Sequence, residues 1–261
     1  MKVDIIISVF GKPWQTLCTL KSLMKFSSKH IDRIFFIQET HQPYNDQVDW
    51  VVNHFDNIDR VIPPNYNFYG VRYQQGFYLS DKKWVFITHN DVLYTGDVIG
   101  DMLSMCEGSV GVGQIGQCWN CPAHEKGLCS GEKIDSFKPS YAEAVSLFPY
   151  KRTPPSLISK KSPMPFPECR LNEWACLVNR EISLQEGEPY FGQSNFDVGV
   201  RWFRKMFLKG YKFKYYNKNF IHGFWAAGKS GYPVQLNKSE YLQSERMAKK
   251  YFDENFKSIY S

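Results

Sequence analysis

The sequence predicts an α/β protein built on a doubly wound, mostly parallel sheet with helices on both faces. Three observations predict it. The chain opens on Val3-Asp4-Ile5-Ile6-Ile7-Ser8-Val9, a β-branched run apolar at nearly every position, as in a strand covered on both sides. Strand-like and helix-like segments then alternate through residue 88, the rhythm of βαβ units. Polar groups (Ser8-Val9-Phe10, Gln38-Glu39-Thr40, His89-Asn90-Asp91) fall at the carboxyl ends of strands, where open α/β sheets bind ligands.

Each element follows from its local pattern. Gly11-Lys12-Pro13 breaks the first strand, and Pro13 suits the first turn of a helix, where its missing N–H costs nothing. Trp14, Leu17, Leu20, Leu23 and Met24 recur at helical spacing, so that helix runs to about Phe26. Residues 31–37 make a second strand. Residues 49–55 read as helix and 59–62 as a short third strand. Residues 69–79 are helix-like, and 84–88 form the fourth strand. A helix over 96–105 and a strand over 109–115 follow. Residues 117–170 change texture, with most of the prolines, several lysines and four of the seven cysteines; this is an insertion or a long functional loop. Strand character returns at 173–178. Residues 196–209 form an amphipathic helix that ends at Gly210 as a helix should. A strand over 211–216 and an amphipathic helix over 240–256 complete the series.

Composition bounds the function. The chain has 261 residues, enough to bury a sizeable core, with 43% hydrophobic and 22% charged residues, as in ordinary globular proteins. Aromatic residues reach 16%; core packing accounts for most of them, and a site that stacks rings on sugars or bases would use others. A net charge of +6 suits anionic partners such as nucleotide phosphates, without choosing among them. No apolar run is long enough for a membrane-spanning helix. The first residues lack the charged and apolar regions of a signal peptide, so the expected location is the cytoplasm, or the host cytoplasm for a viral chain. Cysteines there are thiols, metal ligands or inert core residues.

The segment Trp84-Val85-Phe86-Ile87-Thr88-His89-Asn90-Asp91 carries the most chemistry. An apolar strand ends on metal-capable side chains, one of them a carboxylate. Histidine suits Mn²⁺, and carboxylates suit Mg²⁺. Taken alone, the same residues also read as a polar strand end.

In order and spacing, these residues resemble the GT-A glycosyltransferases of family 2 type, which draw a sugar from a nucleotide-diphospho-sugar. The likeness spans roughly residues 3–230. Ile5-Ile6-Ile7-Ser8-Val9-Phe10 resembles the segment that holds the nucleotide, with Ser8 and Phe10 as donor contacts. Glu39 matches the acidic residue that meets the base or ribose. Asn65-Tyr66-Asn67-Phe68-Tyr69-Gly70-Val71-Arg72 stands where the family has a Gly- and Asn-rich segment with an Arg. Asn67 and Arg72 are its donor-binding candidates, and Arg72 also reads as a solvated helix charge. Asp91 matches the last carboxylate of the DxD-like motif, with His89 at the first position and Asn90 between them as a further donor contact. Ile221-His222-Gly223 with Gly228-Lys229-Ser230 resembles the His and small-residue loop that close the site.

The resemblance implies Mn²⁺ or Mg²⁺ held by Asp91, His222 and His89, a nucleotide-diphospho-sugar donor, and an inverting displacement onto a hydroxyl of a saccharide or glycan. The chain departs from the pattern in two places. His89 replaces an Asp. Ser194-Asn195 replaces the acidic pair, so Asn195 occupies the place of the usual base, and Asp197, two residues on, is the candidate in its stead. Asp197 reads equally as an i,i+4 partner of Arg201 on the helix. The organisation expected is a GT-A domain over 1–230, with 117–170 as a variable acceptor or lid insertion, and a helical extension over 231–261 packed on the same domain.

Cys118, Cys121, His124 and Cys129 add a C-x2-C-x2-H-x4-C spacing compact enough to wrap a structural Zn²⁺, or to supply ordinary buried thiols. Lys151-Arg152, Lys160-Lys161 and Arg170 read as a solvated loop, a lid over a diphosphate, or a track for an anionic acceptor. Two alternative functions stay open: glycosylation of modified bases in viral DNA, and a non-catalytic sugar-nucleotide or glycan-binding module on a degenerate scaffold. A nucleotidyltransferase lacks support, since no Gly-rich phosphate loop with a following Lys succeeds the first strand.

Overall fold

The computed structural model describes residues 1–63, 69–116, 121–147, 160, 169–187, 198–226 and 237–256, with only the backbone for 69–72. Asn67, Cys118, Asn195, Asp197, Lys151-Arg152, Lys161, the 228–230 loop and the Arg72 side chain lie outside the described residues.

Among the described residues the strands are β1 Val3–Val9, β2 Ile31–Gln38, β3 Ile58–Val61, β4 Trp84–Thr88, β5 Val92–Tyr94, β6 Gly111–Gly116, β7 Arg170–Asn179, β8 Phe213–Tyr215 and β9 Phe220–His222. The helices are α1 Pro13–Ser27, α2 Tyr69–Leu79, α3 Val98–Met105, α4 Pro122–Glu125, α5 Tyr141–Leu147, α6 Arg180–Gln185, α7 Val200–Leu208 and the C-terminal helix Lys238–Asn255. Seven strands form one sheet in the order β3-β2-β1-β4-β7-β6-β8. β7 runs antiparallel to both of its neighbours, and the other pairings are parallel. The sheet is therefore mostly parallel, as the sequence predicts.

Alternation along each strand divides the core. Val3, Ile5, Ile7 and Val9 of β1, with Phe36 and Phe86, pack to one side against α1, α3 and the C-terminal helix. Ile6, Phe35, Ile37, Val85 and Ile87 pack to the other with Tyr73, Phe77 and Phe203. Both faces are covered, so these strands read as continuous apolar runs.

Local differences from the sequence reading have physical reasons. Asp49–His54 is a 3₁₀ turn; the β-branched pair Val51-Val52 at its centre disfavours a regular α-helix. β7 starts at Arg170, so the stretch after residue 117 rejoins the sheet earlier than its composition suggests. No described helix is long and apolar enough to cross a membrane.

The strand order places the topological switch at β1. The chain leaves β1 towards β2 and β3, then returns to lay β4 on its other side. The crevice beyond the carboxyl ends of β1 and β4 is where such sheets bind ligands. Two loops meet there: Gly11-Lys12 after β1 and His89-Asn90-Asp91 after β4.

The C-terminal helix braces the first of these loops. α1 begins without a side-chain cap of its own. Instead the Glu245 carboxylate accepts from the backbone N–H groups of Trp14 at 2.9 Å and Gln15 at 3.3 Å, where first-turn amides lack intrahelical partners. The Tyr241 hydroxyl accepts from Lys12 N–H at 2.7 Å and donates to Asp46. Burial pushes the Glu245 carboxyl up to about 7, although the two amides favour its charged form. A carboxyl raised in the folded state stabilises fully below its unfolded value of 4.5, and that contribution is lost as pH rises through about 7. The shift corresponds to about 3 kcal/mol. Glu245→Gln is therefore expected to melt several degrees above wild type at pH 8 and to match it near pH 5. Identical melting curves at both pH values would discard this assignment.

Candidate metal centre and donor site

Asp91 follows the last residue of β4 by three positions, and its side chain is 4% exposed. Its two oxygens face different partners. Oδ2 accepts from the Lys12 ammonium at 2.7 Å. Oδ1 lies 3.4 Å from His222 Nε2 and 3.9 Å from His89 Nδ1, and among the described residues it makes no well-formed hydrogen bond. Burial alone would raise the Asp91 carboxyl; the charges of Lys12, His222 and His89 outweigh burial and hold it well below the usual carboxylate range.

His222 reaches Asp91 through a separate two-stranded ribbon. β5 pairs antiparallel with β9, which sets Val92 opposite His222, and Gly223 N–H donates to the Asp91 carbonyl at 3.0 Å. The His222 ring stacks on Trp174, with centroids 4.5 Å apart and planes 12° off parallel. Trp174 is itself fixed by its indole N–H, which donates to Gln114 Oε1 at 2.9 Å.

His89 turns its other nitrogen away from Asp91. Nε2 lies 3.4 Å from Glu173 Oε1, and Arg170 Nη2 lies 3.5 Å from Glu173 Oε2. An Nε2–H donated to Glu173 leaves the Nδ1 lone pair facing Asp91, the orientation a metal-binding imidazole needs. Burial would raise the Glu173 carboxyl; Arg170 and the His89 contact outweigh it and hold it at about 2.

Ligand atoms of His89, Asp91 and His222 lie within 4.8 Å of one another, and among the described residues this is the one such group. Two imidazoles and a carboxylate suit Mn²⁺ and similar divalent ions. The unspent Asp91 Oδ1 between two ring nitrogens fits such an ion.

No protein-family model and no curated protein matches the sequence. Solved structures do. A mannosyltransferase, PcManGT, from Pyrobaculum calidifontis in complex with GDP-Man and Mn²⁺ superposes with a TM-score of 0.57 at 9% identity, over 97% of this chain and 75% of that one. A 4-diphosphocytidyl-2C-methyl-D-erythritol synthase from Anaerococcus prevotii gives 0.52 at 13% identity, over 93% and 98%. S. aureus TarS (residues 1–349) gives 0.52 at 10% identity, over 86% of this chain and 62% of that one. The fold is of the GT-A type.

On this GT-A scaffold the other candidates fall as follows. Ser8 is buried on β1, Phe10 is half-buried one residue past that strand, and Glu39 is buried just past β2 with its N–H donating to the Val9 carbonyl at 3.1 Å. All three stand at or just past the carboxyl ends of β1 and β2. Asn90 braces the crevice, donating from its amide to Gly11 O at 3.0 Å and Thr16 Oγ1 at 3.1 Å. Cys121, His124 and Cys129 do not converge as the His89 group does. His124 Nδ1 faces the Cys129 carbonyl at 3.2 Å, and the Cys129 thiol donates to Ser130 O.

The sequence does not single out Lys12, Glu173 or Trp174, and it reads Arg170 with the basic loop, whereas the Arg170 side chain is buried at the start of β7 beside Glu173. Lys12 reads in the sequence as part of a strand-breaking turn. In the structure it sits at φ 58°, ψ 51°, a left-handed conformation that costs a non-glycine residue about 1–3 kcal/mol. The Tyr241 contact at its N–H and the Thr16 N–H and Oγ1 donated to its carbonyl hold it there. The available signal was a lysine three residues beyond a strand's carboxyl end. For Glu173 it was a carboxylate at the head of the apolar run over 174–178.

Proposed function

We propose that the chain is a metal-dependent, inverting glycosyltransferase that moves a sugar from a nucleotide-diphospho-sugar to a hydroxyl of a saccharide or glycan. The observation that carries this reading is the convergence of His89, Asp91 and His222 at the switch-point crevice of a GT-A fold. The GDP-Man and Mn²⁺ complex of the similar mannosyltransferase supports it.

For the nucleotide, the metal and the base the roles are those the family resemblance implies; for Asn90, Glu173 and Trp174 they rest on the contacts above. Ser8, Phe10, Glu39, Asn67 and Arg72 hold the nucleotide, and Asn90 keeps the two crevice loops together. Asp91, His222 and His89 would hold Mn²⁺ or Mg²⁺, which supplies Lewis-acid stabilisation to the diphosphate oxygens. Glu173 orients His89, and Trp174 orients His222. Asp197 takes the proton from the acceptor hydroxyl as its oxygen bonds to the anomeric carbon, and Asn195, two residues earlier in the sequence, stands in the place of the family's usual base; the sugar's bond to the diphosphate oxygen breaks in the same step.

The test is a panel of UDP-, GDP-, CDP- and dTDP-sugars, each with Mn²⁺ or with EDTA, read by release of the nucleoside diphosphate. One donor is expected to turn over with Mn²⁺ and to stop with EDTA. Binding without turnover of any donor would instead support a non-catalytic module. Asp197→Asn is expected to slow transfer by ~10²–10⁴-fold while Mn²⁺ binding is kept. Unchanged turnover in that variant would remove Asp197 from the mechanism.

A further inference from the structure

We propose that the Lys12 ammonium is a second cationic anchor for the donor's diphosphate, sharing the Asp91 carboxylate with the metal seat. This rests on the sugar-nucleotide reading above and adds to it a residue outside the DxD-like motif. The Lys12 side chain is 5% exposed. An ammonium can donate three hydrogen bonds. Among the described residues that of Lys12 makes one, to Asp91 Oδ2 at 2.7 Å. A buried ammonium with donors to spare is costly unless an anion meets it.

Its place says which anion. Lys12 follows β1 and Asp91 follows β4, side by side at the switch point. Because Lys12 engages Oδ2 and the imidazoles face Oδ1, an ion held with His89 and His222 leaves the lysine in position. The charges then close. The Arg170–Glu173 pair cancels itself. Asp91 cancels one charge of a divalent ion, so a doubly negative diphosphate ester stays one charge short of neutral without Lys12. As the bond from the anomeric carbon to the diphosphate oxygen breaks, the electron pair stays on that oxygen. The two spare Lys12 donors are suited to phosphate oxygens that gain this charge.

The test titrates UDP, GDP, CDP and dTDP against wild type, Lys12→Met and Lys12→Arg, in EDTA and in Mn²⁺, with Mn²⁺ binding followed separately by electron paramagnetic resonance. Lys12→Met is expected to lose at least tenfold in diphosphate affinity under both conditions while still binding Mn²⁺, and Lys12→Arg to recover part of the loss. Because Lys12→Met leaves Asp91 unpaired and can unfold the chain, two further variants are compared in EDTA, each below its own melting transition: Asp91→Asn, which keeps the ammonium, and the charge-neutral Lys12→Gln/Asp91→Asn. The double variant is expected to bind the diphosphate at least tenfold more weakly than the single one. Equal affinities across that comparison, with wild type binding both Mn²⁺ and a nucleoside diphosphate, overturn the role of Lys12 alone. If no nucleoside diphosphate binds wild type, inorganic pyrophosphate takes its place. A Lys12-dependent pyrophosphate affinity then keeps the anion site while the sugar-nucleotide reading falls, and no pyrophosphate affinity overturns both.

Discussion

Asp91→Asn is expected to abolish specific Mn²⁺ binding and to lower metal-dependent transfer on the order of 10³-fold. The substitution keeps the shape of the side chain and removes its charge. Asp91 Oδ1 is the buried, unspent oxygen between His89 and His222. Without its charge the two neutral imidazoles are left to hold a hard divalent ion alone, which they do poorly. Metal stabilisation of a leaving diphosphate is worth several kcal/mol, and about 1.4 kcal/mol is a factor of ten in rate. The same change leaves the Lys12 ammonium buried opposite a neutral amide. Breaking a buried ion pair from one side costs about 3–5 kcal/mol. Calorimetric melting should therefore fall alongside activity, and Mn²⁺ should no longer raise the melting temperature. A folded Asp91→Asn protein with wild-type turnover in Mn²⁺ would end the metal assignment.

Glu173→Gln is expected to produce two separable losses. The first is acid-dependent. The Glu173 carboxyl lies at about 2 in the folded chain against an ordinary 4.5. A depressed carboxyl contributes its stability in full above 4.5 and loses it as pH falls through about 2. The shift corresponds to about 3 kcal/mol. Wild type should lose melting temperature steeply between pH 4.5 and 2, and Glu173→Gln should show a shallower slope there from a lower starting point at pH 7. The second loss is in metal affinity, by about 10–100-fold at pH 7, because the charged acceptor that turns the Nδ1 of His89 towards Asp91 becomes a weaker neutral amide. Glu173→Gln matching wild type in both the acid melt and the Mn²⁺ titration would reduce Glu173 to a bystander.

The parallel half of the sheet is legible in the sequence because burial on both faces makes β1, β2 and β4 apolar at most positions. Asp91 is legible for the same reason: it is the first carboxylate after such a strand. The rest of the centre depends on pairings that leave little local trace. β5 and β9 are three residues each, too short for a period-two pattern, yet their pairing alone brings His222 to Asp91. The family pattern names His222; no periodicity does. Glu173 comes beside His89 because β7 runs against β4, setting Thr88 opposite Ala175; strand direction is not written in a six-residue apolar run. Lys12 acquires its meaning only when β1 and β4 become neighbours.

The contacts from Tyr241 and Glu245 to the Lys12-Trp14-Gln15 segment join residues about 230 positions apart. During synthesis the loop that carries Lys12 emerges well over two hundred residues before Tyr241, which holds its left-handed turn, and Glu245, which holds the helix start after it. Sheet pairing of β1, β2 and β4 can precede them. A nascent chain halted before residue 241 would thus carry a formed sheet and an unbraced crevice, so ligand competence arrives after the framework and in a distinct event.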